Sequence, residues 1–266
     1  FKEYSFTWIY SSLKSTQKMT ATLVVNAEIE LQLVFEKPQP SARISIVIDD
    51  MGHMSRGFKL YRNMGHPLTM AFLPFYDTTE MQSEIAHSEG FEIMLHMPMQ
   101  PNHRFYFRSP LVIETGLDDE EVRSRVRKSL HTVPLAQGFN NHQGSKATSN
   151  LDLMRLVMDE VSQHQKLYFI DSVTTGSSKA YQAATEAGFA ATKRNSDFLD
   201  NVKTHEAVTK KLQELIDLSL RSKGVRLAII HESKISAKAV KQVLPKLESL
   251  NIEVVSPSDF IKPNLL

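Results

Sequence analysis

Short apolar runs alternate with helical patterns from residue 44 onward, and this alternation is the strongest constraint on the fold. Eight runs have strand length: ISIVI (44–48), LTMAFL (68–73), FEIML (91–95), LAQGF (135–139), LYFI (167–170), FAAT (189–192), RLAII (226–230) and IEVV (252–255). Apolar strands separated by helices are typical of a parallel sheet covered by helices. Seven or eight such units in about 220 residues predict an α/β fold, a closed or distorted (β/α) barrel. A doubly wound open sheet is the alternative.

The segments between these runs carry the end signals of helices. The segment DDEEVRSRVRKSLH (118–131) begins with acidic residues and ends with basic ones, which matches the helix dipole. Asn150 and Thr204 each stand directly before an amphipathic segment, in the position and with the chemistry of an N-cap. These signals predict helices before and after the LYFI strand in the sequence.

Residues 1–42 have a different pattern from the rest of the chain. The segment EIELQLVFE (28–36) alternates apolar and polar side chains, which predicts a half-buried strand. The segment KPQPS (37–41) that follows has the composition of a linker. We therefore expect an N-terminal extension over residues 1–42 and a main domain over residues 43–266.

Composition excludes several classes of function. A formal net charge of +1 over 266 residues argues against a nucleic-acid-binding surface, which usually needs a clear basic excess. No run approaches the ~18 consecutive apolar residues of a membrane span. The chain has no cysteine, and therefore no disulfide, no thiolate ligand and no cysteine nucleophile. Histidine and carboxylate side chains would have to hold any metal, a donor set that suits zinc or another divalent ion.

Polar side chains follow six of the predicted strands. In chain order they are Asp49 and Asp50, His96, the trio Asn140, Asn141 and His142, then Asp171, the pair Lys193 and Arg194, and finally His231. Taken singly, an aspartate in this position is most often a cap, and a histidine is most often a packed core residue. Because the carboxyl ends of parallel strands meet on one face, six such strand ends in order favour an active site there.

The first of these positions is the most informative. Two adjacent carboxylates, Asp49 and Asp50, follow a strand with a buried pattern. Adjacent charges repel each other, and burial increases the cost of keeping both ionised. A bound cation would offset that cost, so the pair predicts a metal site.

Six segments carry a resemblance to a known family through their order and spacing. They are IVIDDMG, FEIMLHMPMQP, GFNNHQGS, LYFIDSVTT, RNSDFLDN and LAIIH. Together they resemble the divergent polysaccharide deacetylase family, a bacterial offshoot of the polysaccharide and chitooligosaccharide deacetylases. The resemblance covers about residues 43–260. It implies a distorted (β/α) barrel, one divalent metal ion that is often zinc, and removal of N- or O-acetyl groups from polysaccharides.

The resemblance also implies roles for particular residues. Asp49 matches the catalytic base and Asp50 a metal ligand, while His96 matches the first of two histidine ligands. Gln100 stands where the main family has the second histidine, and His142 of the NNHQGS segment takes its place as the third ligand. His231 matches the catalytic acid, although the divergent family usually has Gly-His-Pro where this chain has IHES (230–233). The expected supporting or substrate-binding residues are Asn140, Asn141, Asp171 and Arg194, with Arg194 holding Asp171 or Asp49 in place.

The function that follows is a metal-dependent hydrolase acting on acetyl groups of a polysaccharide or a cell-envelope glycan. Such a substrate implies a periplasmic or secreted protein, and a chain that begins with Phe1 is compatible with a removed signal peptide. One alternative is a catalytically silent carbohydrate-binding or envelope-organising protein that retains the fold. Another is a glycosidase that uses Asp49 and Asp171 as its two carboxylates and needs no metal.

Overall fold

An antiparallel sheet of three strands forms the first unit of the chain. The structure is a computed structural model that describes residues 6–13, 18–25, 28–36, 39–103 and 109–261. Strands β1 (Phe6–Leu13), β2 (Lys18–Val25) and β3 (Glu28–Glu36) pair in that order. The strand predicted over residues 28–36 is therefore confirmed. The chain divides into two units between Pro40 and Ser41.

Eight parallel strands form the sheet of the second unit. They are β4 (Ala42–Met51), β5 (Thr69–Phe72), β6 (Glu92–Met99), β7 (Gly138–Gln143), β8 (Tyr168–Asp171), β9 (Ala191–Lys193), β10 (Val225–His231) and β11 (Ile252–Val254). Their spatial order is β10-β4-β5-β6-β7-β8-β9, and β11 also pairs with the beginning of β4. All eight predicted strands are present. The order is sequential from β4 to β9, without the reversal that defines a doubly wound sheet, so that alternative is wrong.

The sheet closes almost completely into a barrel. Strand β10 pairs with β4 along its whole length, from Val225 beside Arg43 to His231 beside Asp49. Residues 195–199 lie across the remaining gap between β9 and β10 and form what we call the closing segment. The backbone N–H of Leu199 donates to the carbonyl of Ile229 at 3.0 Å. The predicted distorted (β/α) barrel is confirmed.

Eight α-helices lie in the described part of the second unit. They are α1 (Arg56–Arg62), α2 (Thr79–Ser88), α3 (Asp119–Thr132), α4 (Leu151–His164), α5 (Ala180–Glu186), α6 (His205–Leu220), α7 (Lys234–Ser249) and α8 (Pro257–Phe260). The predicted N-caps are confirmed, because Asn150 accepts a hydrogen bond from the backbone of Leu153 and Thr204 accepts one from Ala207. In the described part of the chain, no helix is both long enough and apolar enough to cross a membrane.

Two apolar clusters stabilise the barrel. The larger one lies between the outer face of the sheet and the helices and includes Ile44, Ile46 and Ile48 of β4. The smaller one includes Val47 of the same strand together with Ile229 of β10. This division follows from strand geometry, since successive side chains point to opposite faces. The interior of the barrel is therefore filled by side chains.

Candidate active site

The two adjacent aspartates at the end of β4 face the same histidine. Regular strand geometry would send their side chains to opposite faces. Asp50 has a left-handed backbone with φ of 65°, and the pairing of β4 with β5 shifts register between Ile48 and Met51. As a result, His96 Nε2 lies 3.6 Å from Asp49 Oδ2 and 3.3 Å from Asp50 Oδ1. A bulged strand end thus brings both carboxylates into one site.

Three side chains from three different strands converge at this point. Ligand atoms of Asp50, His96 and His142 all lie within 4.8 Å of one another. Asp50 Oδ1 is 2.9 Å from His142 Nδ1, which is itself 3.0 Å from His96 Nε2. Asp50 Oδ1 is buried and has no hydrogen-bond partner of acceptable geometry among the described residues. A buried carboxylate oxygen facing two imidazole nitrogens fits a divalent cation, and these donors suit zinc.

Asn140 connects the predicted base to a predicted ligand. Its side chain is fully buried, its Oδ1 lies 2.7 Å from His96 Nδ1, and its Nδ2 donates to Asp49 Oδ1 at 2.8 Å. A carbonyl oxygen can only accept, so His96 donates from Nδ1 and keeps the Nε2 lone pair free for a cation. This is the supporting contact that orients a histidine ligand. Asn140 was predicted to lie near the site, but its bridging role was not.

The two aspartates have different electrostatic environments. Burial raises the pKa of Asp49, although His96 and His231 act in the opposite direction. Burial would also raise the pKa of Asp50, but the contacts with His142 and His96 outweigh it and lower the pKa of that carboxyl. Asp49 is therefore the more basic carboxylate, and Asp50 is the one held in its charged form.

His231 lies at the end of β10 and is held by a carboxylate. Its Nδ1 donates to Asp200 Oδ1 at 2.9 Å, and its backbone N–H donates to Asp200 Oδ2 at 3.1 Å. Phe198 stacks against its ring with a centroid distance of 5.4 Å. Burial alone would lower the pKa of His231, but the hydrogen bond to Asp200 and the nearby charges of Asp50 and Asp49 raise it to about 9. The ring is therefore a proton donor at neutral pH.

Sequence reasoning missed Asp200 and Phe198. Both lie in the segment RNSDFLDN (194–201), which was recognised only for its place in the ordered set. Neither residue follows a predicted strand, so position along the chain does not mark either as a site residue. The available signal was chemical, because a histidine that acts as an acid or base usually needs a carboxylate to orient it.

Asp171 and Asn141 shape the loops beside the site. The carboxylate of Asp171 accepts hydrogen bonds from the backbone of Val173 at 2.9 Å and the hydroxyl of Ser178 at 2.8 Å. Asn141 Oδ1 accepts from the backbone of Ser172 at 2.9 Å. Asp171 is buried among these donors, so it is poorly placed to act as the second carboxylate of a glycosidase. The glycosidase alternative loses its main support.

Arg194 differs from its expected role. Its guanidinium donates to the backbone carbonyls of Ser172, Val173 and Ser196, and it lies over the ring of Phe198 at 4.0 Å. Among the described residues it forms no ion pair with either carboxylate that it was expected to hold. The prediction that it holds Asp171 or Asp49 by side-chain pairing is therefore corrected. Arg194 instead supports the ring on which His231 stacks.

Gln100 occupies the position at which the main family has its second histidine ligand, and its side chain is hydrogen-bonded to Thr115 instead. Its Oε1 accepts hydrogen bonds from the N–H and the hydroxyl of Thr115, at 2.9 and 2.8 Å.

Gln143 and Val173, which flank the loops after β7 and β8, have left-handed backbones with φ of 54° and 48°. Together with Asp50 they place strained conformations around one site. Such conformations cost about 1–3 kcal/mol each and are concentrated at functional sites.

These residues open onto one cleft. Its volume is 480 Å³, and its lining includes Asp49, Asp50, His96, His142 and His231. It lies at the carboxyl ends of the strands, where (β/α) barrels have their active sites. With Asn141, which also lines the cleft, six of the predicted site residues are thus brought together in a space that can admit a ligand.

The fold and the cleft define a barrel of the polysaccharide deacetylase type. More particularly, the chain belongs to the divergent polysaccharide deacetylase family, whose model matches residues 46–261. The resemblance identified from the sequence is confirmed. Two curated relatives, the uncharacterized protein YibQ of Escherichia coli and an uncharacterized protein of Haemophilus influenzae, are each 31% identical, over 81% and 71% of this chain. The matches cover 66% of each relative, so the chain spans about two thirds of their length.

Solved structures share the fold. An uncharacterized protein from Agrobacterium tumefaciens has a TM-score of 0.77 at 19% identity, over 85% of this chain and 91% of that one. The catalytic domain of a peptidoglycan N-acetylglucosamine deacetylase from Eubacterium rectale has a TM-score of 0.52 at 12% identity, over 83% and 90%. A CE4 family pseudoenzyme from Bacillus anthracis has a TM-score of 0.51 at 9% identity, over 85% and 67%. Both active and inactive proteins therefore have this fold.

Proposed function

We propose that this protein is a metal-dependent hydrolase that removes acetyl groups from a polysaccharide or a cell-envelope glycan. The observation that carries the proposal is the convergence of Asp50, His96 and His142, with a buried carboxylate oxygen that lacks a hydrogen-bond partner among the described residues. These three residues would hold one divalent ion, zinc in our proposal. Three protein ligands leave a coordination position for water, as in catalytic zinc sites.

When bound, the ion polarises the acetyl carbonyl and lowers the pKa of a water molecule. Asp49 accepts the proton of the attacking water. Asn140 fixes the Asp49 carboxylate through the 2.8 Å hydrogen bond to Oδ1. Asp49 Oδ2 lies 3.6 Å from His96 Nε2, whereas the ligand atoms that cluster together belong to Asp50, His96 and His142. The base and the ligand set are thus adjacent but distinct.

His231 supplies the second proton transfer. It lines the same cleft as Asp49, and its pKa of about 9 keeps it protonated at neutral pH. It donates a proton to the leaving amine or alkoxide, while Asp200 stabilises the charged ring through the 2.9 Å hydrogen bond. An acid and a base on one cleft are what acyl hydrolysis requires. A glycan substrate places the protein in the periplasm or outside the cell in this proposal.

A catalytically silent carbohydrate-binding or envelope-organising protein is the second candidate. Two observations favour it: a pseudoenzyme shares the fold, and Gln100 is hydrogen-bonded to Thr115 in the place of a histidine ligand. In a catalytically silent protein, Asp49 would have no role in catalysis. Asp49 is therefore the residue whose substitution separates the two candidates.

The decisive experiment measures acetate release by the zinc-loaded protein and by its Asp49→Asn variant. The substrates are N-acetylglucosamine oligomers and acetyl esters. We expect the rate to fall by about 10²–10⁴-fold, the usual contribution of general-base catalysis. The zinc content should stay at the wild-type level, because Asp50 rather than Asp49 is the ligand. Equal rates for the two proteins would refute the base assignment, and a zinc-loaded wild type inactive on every substrate would support the silent candidate.

A further inference from the structure

One part of the cleft carries polar groups that the proposed reaction does not use. Lys203 and Asn201 line the same cleft as Asp50 and His231, and both are exposed. Lys203 forms no ion pair or hydrogen bond with any residue that the structure describes. A lysine at the mouth of a cleft is available to a ligand in a way that a paired lysine is not.

Ser172 provides a second, independent observation. It is 1% exposed, it lines the cleft, and its hydroxyl is buried without a hydrogen-bond partner among the described residues. Its backbone is fixed on both sides, by Asn141 at the N–H and by Arg194 at the carbonyl. Buried hydroxyls are rarely left unpaired, so a hydroxyl without a partner on the cleft lining is available to a polar group of a ligand.

The charges around the cleft favour a negatively charged ligand. The carboxylates of Asp49, Asp50 and Asp200 line it. A divalent ion and Lys203 would together offset those three charges. With the ion bound and His231 protonated, as its raised pKa of about 9 favours, the cleft lining would therefore carry a net positive charge.

We propose that the glycan substrate carries an anionic group, a carboxylate or a phosphate ester, close to its acetylated position, and that Lys203, Asn201 and Ser172 bind this group. The inference rests on the proposed function, because its charge balance includes the divalent ion. Lys203 contributes the attraction, while the Asn201 amide and the Ser172 hydroxyl contribute hydrogen-bond donors. A neutral glycan would leave the lysine and the buried hydroxyl without partners.

The test compares matched oligosaccharides on the zinc-loaded protein. One probe is a neutral N-acetylglucosamine oligomer, the second is the same oligomer with C6 oxidised to a carboxylate, and the third carries a 6-phosphate. For the wild type we expect kcat/KM to be about tenfold higher for the anionic probes, the usual gain from a hydrogen-bonded charge. The ratio between the two anionic probes shows which anion the site prefers. The preference should shrink at 0.5 M NaCl, because salt screens exposed charges.

Four variants locate the effect. Lys203→Gln should lose most of the preference, and Lys203→Arg should restore much of it because it keeps the charge. Ser172→Ala should weaken binding of the anionic probes in calorimetry. Lys238→Gln removes an exposed lysine on α7 that is not part of the cleft lining, and it should match the wild type. An unchanged preference in Lys203→Gln would overturn the inference.

The outcomes separate this inference from the proposed reaction. Equal turnover of neutral and anionic probes by the wild type would overturn the anion site and leave the reaction standing. If no probe releases acetate but the anionic ones bind more tightly in a Lys203-dependent way, the reaction fails and the anion site stands. If calorimetry detects no binding and no probe releases acetate, both are overturned.

Discussion

The two walls of the cleft are built in different ways. The metal wall consists of residues within β4, β6 and β7, namely Asp50, His96, Asn140 and His142. The acid wall, Phe198, Asp200 and His231 with Arg194 behind it, combines the end of β10 with residues in and beside the closing segment. Strand register places the metal wall, whereas side-chain contacts between sequence-distant segments place the acid wall. A rigid sheet thus serves the metal, and an irregular segment serves the proton donor.

The largest effect should come from removing the metal wall. The variants His96→Ala and His142→Ala, alone and together, should lose bound zinc, because each removes one of three protein ligands. Elemental analysis of protein purified without chelator measures the ion directly, and acetate release should fall with it. His164→Ala is a matched control, since its ring contacts Glu160 on α4, outside the cleft lining. Stoichiometric zinc in the double variant would show that these histidines are not the ligands.

A substitution in the acid wall should change the pH dependence of the reaction rate. The pKa of His231 is raised to about 9, so the protonated acid is present below that pH and is lost as the pH rises through it. Asp200→Asn weakens the hydrogen bond that stabilises the charged ring. The alkaline limb of the kcat profile should therefore move down toward the ordinary histidine value near 6.5, and the rate should fall by about 10- to 100-fold. Zinc content should not change, and an alkaline limb that stays in place would contradict the role of Asp200.

A smaller effect is expected from substitution of Asn140, which connects the proposed base Asp49 to the metal wall. Asn140→Leu keeps the side-chain volume but removes the acceptor for His96 and the donor to Asp49. The zinc affinity should fall by about tenfold, at the lower end of the range for residues that orient a metal ligand. Chelator competition measures this change, with the Asp200→Asn protein as the control that leaves the metal wall intact. An unchanged affinity would mean that His96 needs no orienting partner.

The smallest effect should follow deletion of residues 1–40. Every residue of the two walls belongs to the second unit, so the truncated protein should keep its zinc content and the alkaline limb of its pH profile. Its thermal unfolding should remain cooperative. Loss of cooperative unfolding would mean that the extension is an integral part of the barrel domain.

The contrast between the metal wall and the acid wall also explains which features could be predicted from the sequence. The eight strands, the helix caps and the convergence of Asp50, His96 and His142 follow from periodicity and from the common edge of parallel strands. The left-handed backbone conformation of Asp50 could not be predicted, because the sequence does not distinguish an aspartate with a left-handed backbone from one in an extended strand. The partnership of Asp200 with His231 and the carbonyl contacts of Arg194 depend on how an irregular segment packs. No local pattern encodes that packing.

The join between β9 and β10 has a consequence for motion. Neighbouring strands of the sheet pair through parallel ladders, but here the N–H groups of Asn195 and Leu199 and the side chains of Asn195 and Ser196 make the connection. Because these contacts do not form a regular ladder, the N–H groups of Asn195 and Leu199 should exchange with solvent sooner than those of β4, which is paired with a strand on each side. Because Phe198 lies within the join and Asp200 lies just after it, opening of the join would release the partners of His231 while strand pairing still holds Asp50, His96 and His142 together.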